Sequence, residues 1–293
     1  MKTIHVRVPA STSNLGPGYD CLGMALTLYA DFTFTIADEL RIEGCPEEFR
    51  NENNLVIQAF RKLYDKAGVA APAVHLTVRS DVPVARGLGS SSTCLAAGFA
   101  AANAFLGDRY TKDELFQMST AEEGHPDNAA PSVFGGLTAS FMDEGRAETV
   151  SFTPDPEWRF VAVVPDYEVK TAEARKLVKK EIPLSAGIYS VSHAIAMVRA
   201  LETGNEALLS AACTDVLHEP YRKALIPDYD DVRMTALEEG AATLFISGSG
   251  STLIAVTKSQ DVAERICEAV KLAHPTFGAH ILRVSPEGTS VSA

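Results

Sequence analysis

The chain has 293 residues, 46% hydrophobic and 22% charged, with 38 acidic against 26 basic side chains and a formal net charge of −12. That balance belongs to a globular protein with enough apolar residues for one large or two ordinary domains, and it excludes a disordered chain. It also excludes a broad nucleic-acid-binding face, which needs clustered positive charge.

In chain order, "TIHVRVPASTSNLGPGYDCLGMAL" opens with strand-like alternation and then reads as a loop rich in Ser, Gly, Pro and Asn. "LYADFTFTIA" is a second extended run, with Asp31 and Thr33 between apolar neighbours. "NLVIQAFRKLYDKAG" predicts an amphipathic helix with Leu55, Ala59 and Leu63 on one face and Gly68 closing it. "VHLTVRS" alternates Val74, Leu76 and Val78 with His75 and Thr77, as a half-buried strand does. After "VPVARGLGSSSTCLAAG", Leu95, Phe99, Ala102 and Leu106 recur at helical spacing. "TKDELFQMSTAEEGHPDNAAPSVFGG" gives a helix, a polar loop, a short helix and a glycine pair, and "LTASFM" returns to strand. Two prolines in "FTPDPEW" mark a boundary, dividing the chain into residues 1–155 and 156–293. Beyond it come a buried strand, "RFVAVVP", and a helix, "SAGIYSVSHAIAMVRALETGN", with Ile188, Val191, Ile195 and Val198 on one face. "ATLFISGSGSTLIAVT" reads as two strands joined by a glycine-serine turn, before the helix "DVAERICEAVKLA" and the strand "HILRV". Interleaved strands and helices in both halves predict two α+β layers side by side, with a ligand at their junction.

The five cysteines (Cys21, Cys45, Cys94, Cys213, Cys267) are scattered without a C-x-x-C pair, which argues against zinc or a disulfide framework and fits a reducing cytoplasm. The opening "MKTIHVRVPAS" has no apolar signal core. The least polar stretch, Ser92 to Gly107, falls short of the roughly 18 residues that a membrane span requires. A soluble, cytoplasmic protein with no membrane and no nucleic-acid partner is expected.

Four polar segments stand out. In "ASTSNLGPGYDCLG", Asn14 and Asp20 flank a Gly-Pro-Gly turn, which also reads as a simple connection between strands. "RGLGSSST" sits between a strand and a helix. Helix starts offer free N–H groups and a positive dipole end, glycine lets a ligand approach the backbone, and serine adds hydroxyls, so the loop suits phosphate. The same residues also read as a turn and N-cap. No Lys-Ser/Thr follows the last glycine, so this is not a Walker A loop, and the glycine spacing is not the dinucleotide fingerprint. "AEEGHPDNAAPSVFGG" gathers Glu122, Glu123, His125, Asp127 and Asn128, which suits Mg²⁺ binding or proton transfer, or the capping of the next helix. "SGSGST", Ser247 to Thr252, is a tight turn whose backbone can approach a ligand, although such turns are common in hairpins.

The order of these segments resembles the GHMP small-molecule kinases, a family named after galactokinase, homoserine kinase, mevalonate kinase and phosphomevalonate kinase. Its three motifs are similar to "VPASTSNLGPGYDCLG", "PVARGLGSSST" and "FISGSGSTLIA", and the resemblance spans nearly the whole chain. Within the family, "EGHPDNAAPSVFGG" and "HEPYRKALIPDY" are most similar to the homoserine-phosphorylating members. The resemblance implies an α+β fold: an N-terminal ATP-binding domain (1–155) of the ribosomal-protein-like type with a left-handed β-α-β crossover, and a ferredoxin-like C-terminal domain (156–293). It also implies ATP-dependent phosphorylation of the side-chain hydroxyl of L-homoserine, on the route to threonine.

By the same resemblance, the ATP-binding run is Pro83, Val84, Ala85, Arg86, Gly87, Leu88, Gly89, Ser90, Ser91 and Ser92, with the backbone from Gly87 to Ser92 around the phosphates and Arg86 assisting. Ser91 and a glutamate are the expected Mg²⁺ ligands. Glu122 and Glu123 both qualify, with Glu123 preferred. The expected substrate-binding set is Asn14, Asp20, His125, Thr171, Arg175, Arg222 and Gly248. Asp20 would meet the ammonium and the two arginines the carboxylate, although a helical arginine is ordinarily a solvated surface residue. Around the reacting hydroxyl the candidates are Asn128, Asp127 and Glu123, with the choice between a general base at Asp127 and catalysis by positioning left open. Dimers are common in the family, so a homodimer is a further expectation. A kinase for another small alcohol, or a non-catalytic metabolite binder, remains the competing reading.

Overall fold

The computed structural model describes residues 2–293. The first half runs β1 (Thr3–Ser13), β2 (Leu22–Ile36), β3 (Arg41–Glu43), α1 (Leu55–Ala67), β4 (Val74–Ser80), α2 (Ser90–Phe105), α3 (Lys112–Glu123), α4 (Pro126–Phe134), β5 (Leu137–Asp143) and β6 (Arg146–Phe152). The second runs β7 (Arg159–Val164), α5 (Thr171–Leu177), α6 (Leu184–Thr203), α7 (Glu206–Ala212), α8 (Glu219–Arg222), α9 (Tyr229–Glu238), β8 (Thr243–Ile246), β9 (Leu253–Thr257), α10 (Gln260–Ala273), β10 (Gly278–Leu282) and β11 (Ser290–Ser292).

Local chemistry explains the well-defined ends. Asn54 caps α1 by accepting from Val56 N–H at 2.9 Å, and Gly68 closes it in the left-handed region (φ +70°). Thr111 and Glu114 form a capping box at the start of α3. The long β2 organises the first sheet: it pairs antiparallel with β1 along its length, with β4 over Ala30–Ile36 and with β5 over Leu22–Met24. The order is β11-β1-β2-β4-β3, with β5 and β6 continuing from β2. β3 and β4 run parallel and are joined through α1, a β-α-β unit. Helices α2 and α4 pack on β1, and α1 packs on α2.

The second sheet has the order β10-β7-β9-β8, all antiparallel. With helices between β7 and β8 and between β9 and β10, this is the β-α-β-β-α-β arrangement of a ferredoxin-like fold. The alternation of β7 divides its side chains between two cores. Phe160 and Ala162 join the core shared with the first sheet, and Val161 and Val163 face α9 and α10. The two layers are therefore fused by a continuous apolar core, and β11 returns the chain end to pair with β1.

The structure departs from the sequence reading at one point and adds to it at another. Residues Pro9–Ser13 read as loop, yet they continue β1 past a register shift at Pro9/Ala10. The face of α6 carrying Ile188, Val191 and Ile195 points outward: these side chains are 61%, 63% and 67% exposed, and the core takes Met197, Ala200 and Leu201 instead. α6 is also the one helix among the described residues long and apolar enough by composition to cross a membrane, whereas the sequence had placed its least polar stretch in what is now α2.

Candidate active site

A cleft of about 520 Å³ opens between the two layers. One end is made by the loop that enters α2. Ala85, Gly87 and Gly89 have positive φ (54°, 79° and 69°), folding the chain into a tight cradle beneath the helix start. Glycine is required at two of these positions. A Cβ on Gly87 would lie 2.2 Å from the Ser247 carbonyl oxygen, and one on Gly89 would lie 2.1 Å from Ser11 Oγ. The first N–H groups of α2 have no acceptor within the helix, and the helix start, with the positive end of its dipole, lines this end of the cleft. Val84, Ala85, Gly87, Gly89, Ser90 and Ser91 all line it.

The remainder of the predicted run serves the loop from outside. Leu88 and Ser92 are buried, and Leu88 O accepts from Ser11 N–H at 3.1 Å. Pro83 does not line the cleft either. Arg86 corrects the expectation of a phosphate contact: it donates to the carbonyls of Val84 (3.1 Å), Pro165 (3.1 Å) and Asp166 (2.8 Å) and pairs with Glu168, so it staples the loop to the second layer. The "SGSGST" turn supports the cradle from beneath, with Ser247 Oγ 2.6 Å from Gly87 O and 2.8 Å from Thr12 Oγ1.

The structure separates the two glutamates. Ser91 Oγ donates to Glu123 Oε1 at 2.6 Å, while Glu123 Oε2 is buried without a partner. Glu122 faces away, pairs with Lys62 and does not line the cleft. A hydroxyl and one carboxylate with a free acceptor oxygen fit Mg²⁺, which takes one or two carboxylates and completes its shell from phosphates and water. Among the described residues no cluster of three or more His, Cys, Asp or Glu forms a self-sufficient metal cage.

The other end is assembled from distant segments. Asn14 and Asp20 have left-handed backbones (φ 71° and 55°), and Asn14 Oδ1 accepts from Asp20 N–H at 3.0 Å to close the loop between them. Asn14 Nδ2 donates to Gly248 O at 2.9 Å, and Arg222 Nη1 donates to the same carbonyl at 2.7 Å. One backbone oxygen thus fixes both residues. Arg222 is 2% exposed, lies over the Tyr19 ring at 5.0 Å, and leaves Nε buried and unpartnered; burial pulls its pKa down. This is not a solvated surface arginine. Arg175 makes a bidentate pair with Asp20 at 2.8 and 2.9 Å, and Thr171 Oγ1 lies 3.4 Å from Ser249 Oγ.

Asn128 is held from both sides: Ser11 Oγ donates to its Oδ1 and its Nδ2 donates to Ser13 Oγ, both at 2.9 Å. Ser11 and Ser13 are two residues apart and so share a face of β1. His125 Nδ1 lies 2.5 Å from the buried Asp127 Oδ1. Burial works against the charged imidazole, but the hydrogen bond and charge of Asp127 outweigh it and raise the His125 pKa. Cys94 also lines the cleft, but burial pushes its thiol up to about 12, so it is no nucleophile.

Sequence reasoning did not single out Ser11, Ser13, Tyr19 or His218. His218 Nε2 lies 2.8 Å from Gly16 O, and its ring stacks on Tyr19 at 5.1 Å, tying the Asn14–Asp20 loop to α8. It also missed most of the apolar end of the cleft, which Phe49, Val82, Leu55, Asn53 and Asn54 line together with Val84 of the predicted run.

The family profile described as "GHMP kinases N terminal domain" matches residues 54–136, and "GHMP kinases C terminal" matches 197–275. The homoserine kinase of Clostridium beijerinckii is 42% identical over 270 residues, covering 92% of this chain and 90% of its own. The chain belongs to the homoserine kinase family of GHMP kinases. The crystal structure of homoserine kinase from Cytophaga hutchinsonii superimposes with a TM-score of 0.88 at 27% identity, covering 100% of this chain and 98% of that one. L. major mevalonate kinase, solved with R-mevalonate, superimposes with a TM-score of 0.75 over 96% of each chain, and at 15% identity it speaks for the GHMP fold alone. As a GHMP kinase, the chain uses ATP.

Proposed function

We propose that this cleft transfers the γ-phosphoryl group of ATP to the side-chain hydroxyl of L-homoserine, giving O-phospho-L-homoserine. The observation that carries the substrate is the charge set at the acceptor end, where Asp20, Arg175 and the dehydrated Arg222 face one space. An α-amino acid brings one ammonium and one carboxylate to such a set. Mevalonate and sugars bring no ammonium. The role in threonine synthesis follows from that product.

The donor end suits a nucleoside triphosphate. The Gly87–Ser91 backbone and the α2 dipole meet the phosphates, and the apolar end beside Phe49, Val82 and Val84 receives the base. Ser91 and Glu123 would hold Mg²⁺, which when bound neutralises phosphate charge and orients the transferred group. Asn128, with its amide direction fixed by Ser11 and Ser13, orients the acceptor hydroxyl. The engagement of Asp127 Oδ1 with His125 supports catalysis by positioning and electrostatic preorganisation, with Asp127 holding His125 in place. The five free cysteines favour a reducing cytoplasm, and the uncharged outward stripe of α6 (Leu184, Ile188, Val191, Ile195) offers a surface for a second copy.

The test is ADP release over a panel of L-homoserine, L-serine, mevalonate and galactose. L-Homoserine should lead in kcat/KM by at least about 10²-fold. Preference for an alcohol without an ammonium group would contradict the assignment.

A further inference from the structure

The Asp20–Arg175 pair uses both carboxylate oxygens and both terminal guanidinium nitrogens, and the two side chains are 36% and 35% exposed. Its two ends are held unequally. Asp20 is fixed through Asn14, which is itself pinned to the Gly248 carbonyl. Arg175 stands on α5, a seven-residue helix that buries only Ala174. Around the pair, the Asp20 and Asp127 carboxylates face the Arg175 and Arg222 guanidiniums, with His125 against Asp127. A net-neutral zwitterion leaves the net charge of this set unchanged, whereas a lone cation or anion alters it.

We propose that the Asp20–Arg175 ion pair is an internal competitor for the acceptor, one that only a molecule carrying both an ammonium and a carboxylate can displace without leaving a charge unpartnered. This deepens the homoserine reading and rests on it. The ammonium takes the place of Arg175 at Asp20, the carboxylate takes the place of Asp20 at Arg175, and Arg222 adds a second, fixed contact. An alcohol with a carboxylate alone recruits Arg175 and strands Asp20. One with an ammonium alone recruits Asp20 and strands Arg175. The pair therefore makes the two charges of the acceptor count jointly, so recognition exceeds the product of two separate contacts.

This has a consequence that independent binding contacts would not produce: removing one member should improve turnover of the acceptor that needs only the other. Measured as kcat/KM, Arg175→Gln should use 3-aminopropan-1-ol roughly two- to five-fold better than wild type, in line with the contribution of a partly exposed ion pair. Asp20→Asn should gain similarly with 4-hydroxybutanoate, and both variants should lose activity on L-homoserine. If neither half-acceptor improves in its variant, the pair does not compete and the proposal is overturned. The two gains use different variants, and a further measurement needs none. In wild type, methylammonium and acetate each fill one half of the pair, so each should tighten the binding of the other by roughly two- to five-fold, read from the arginine Nε–H resonances of labelled protein. Independent binding of the two ions would overturn the proposal. Failure of wild type to phosphorylate L-homoserine would instead refute the substrate reading, while the fragment titration still reports on the pair.

Discussion

The two ends of the cleft are made in different ways. The cradle at the donor end is local: one loop and the start of α2, residues 84–94, supply backbone N–H donors and two hydroxyls, and α3 adds Glu123. The acceptor end is long-range. Asn14 and Gly248, 234 residues apart, share a hydrogen bond there, and Arg222 reaches the same carbonyl. Its working groups are charged side chains contributed by both layers. The first end depends on backbone shape, which glycine permits, and the second exists only once the layers have docked. In the proposed reading, phosphate, common to every reaction of a kinase family, would meet the backbone, and the variable acceptor would meet side chains.

The donor half of that comparison sharpens at the two glutamates. Glu123→Gln should raise the Mg²⁺ concentration needed for activity roughly 10- to 100-fold, the usual cost of disturbing a metal's ligand shell. Glu122→Gln, which disturbs only a surface pair with Lys62, should change it by less than about twofold. Mg²⁺ titrations of the two variants side by side decide this, and equal responses would remove Glu123 from the donor end.

A smaller effect belongs to the acceptor half. His125 has a pKa above its unfolded value of about 6.5 because Asp127 outweighs the penalty of burial. A raised folded pKa means that the pair's contribution to stability is fully present below the unfolded value and is lost as pH rises through the folded one. The margin in Tm of wild type over His125→Gln should therefore be larger at pH 6 than at pH 9. A margin that grows toward alkaline pH would show that the histidine is neutral in its resting pair.

Much of the scaffold was readable from local signals. β4 coincides with the alternation of "VHLTVRS", and α1 lies between the Asn54 and Gly68 that cap it. The loop before α2 announced itself by composition. What stayed hidden depends on partners far along the chain. Ser11 and Ser13 read as loop because polar residues disfavour a buried strand, and only Asn128 satisfies their hydroxyls there. Glu122 and Glu123 are equivalent by spacing, yet one step around α3 sends one to Lys62 and the other to Ser91. Arg86 looked like a phosphate ligand by adjacency, but it follows Ala85, whose backbone is left-handed, and its guanidinium binds the carbonyls after β7. The stripe on α6 was legible as a stripe, while its outward direction was not, since periodicity reports a face and not what covers it.

The separation of a backbone-built donor end from a charge-built acceptor end is tested most directly at Arg222, by measuring ATP binding and homoserine turnover in Arg222→Met. Removing one partner from a buried charged contact costs about 2–5 kcal/mol, so kcat/KM for L-homoserine should fall roughly 30-fold to a few thousand-fold. The Kd for ATP should stay within about twofold of wild type, because no donor-end residue uses Arg222 as a partner, and intact ATP binding also reports that the variant is folded. A parallel loss of ATP affinity and homoserine turnover would contradict the account, because the two ends would then be one energetic unit.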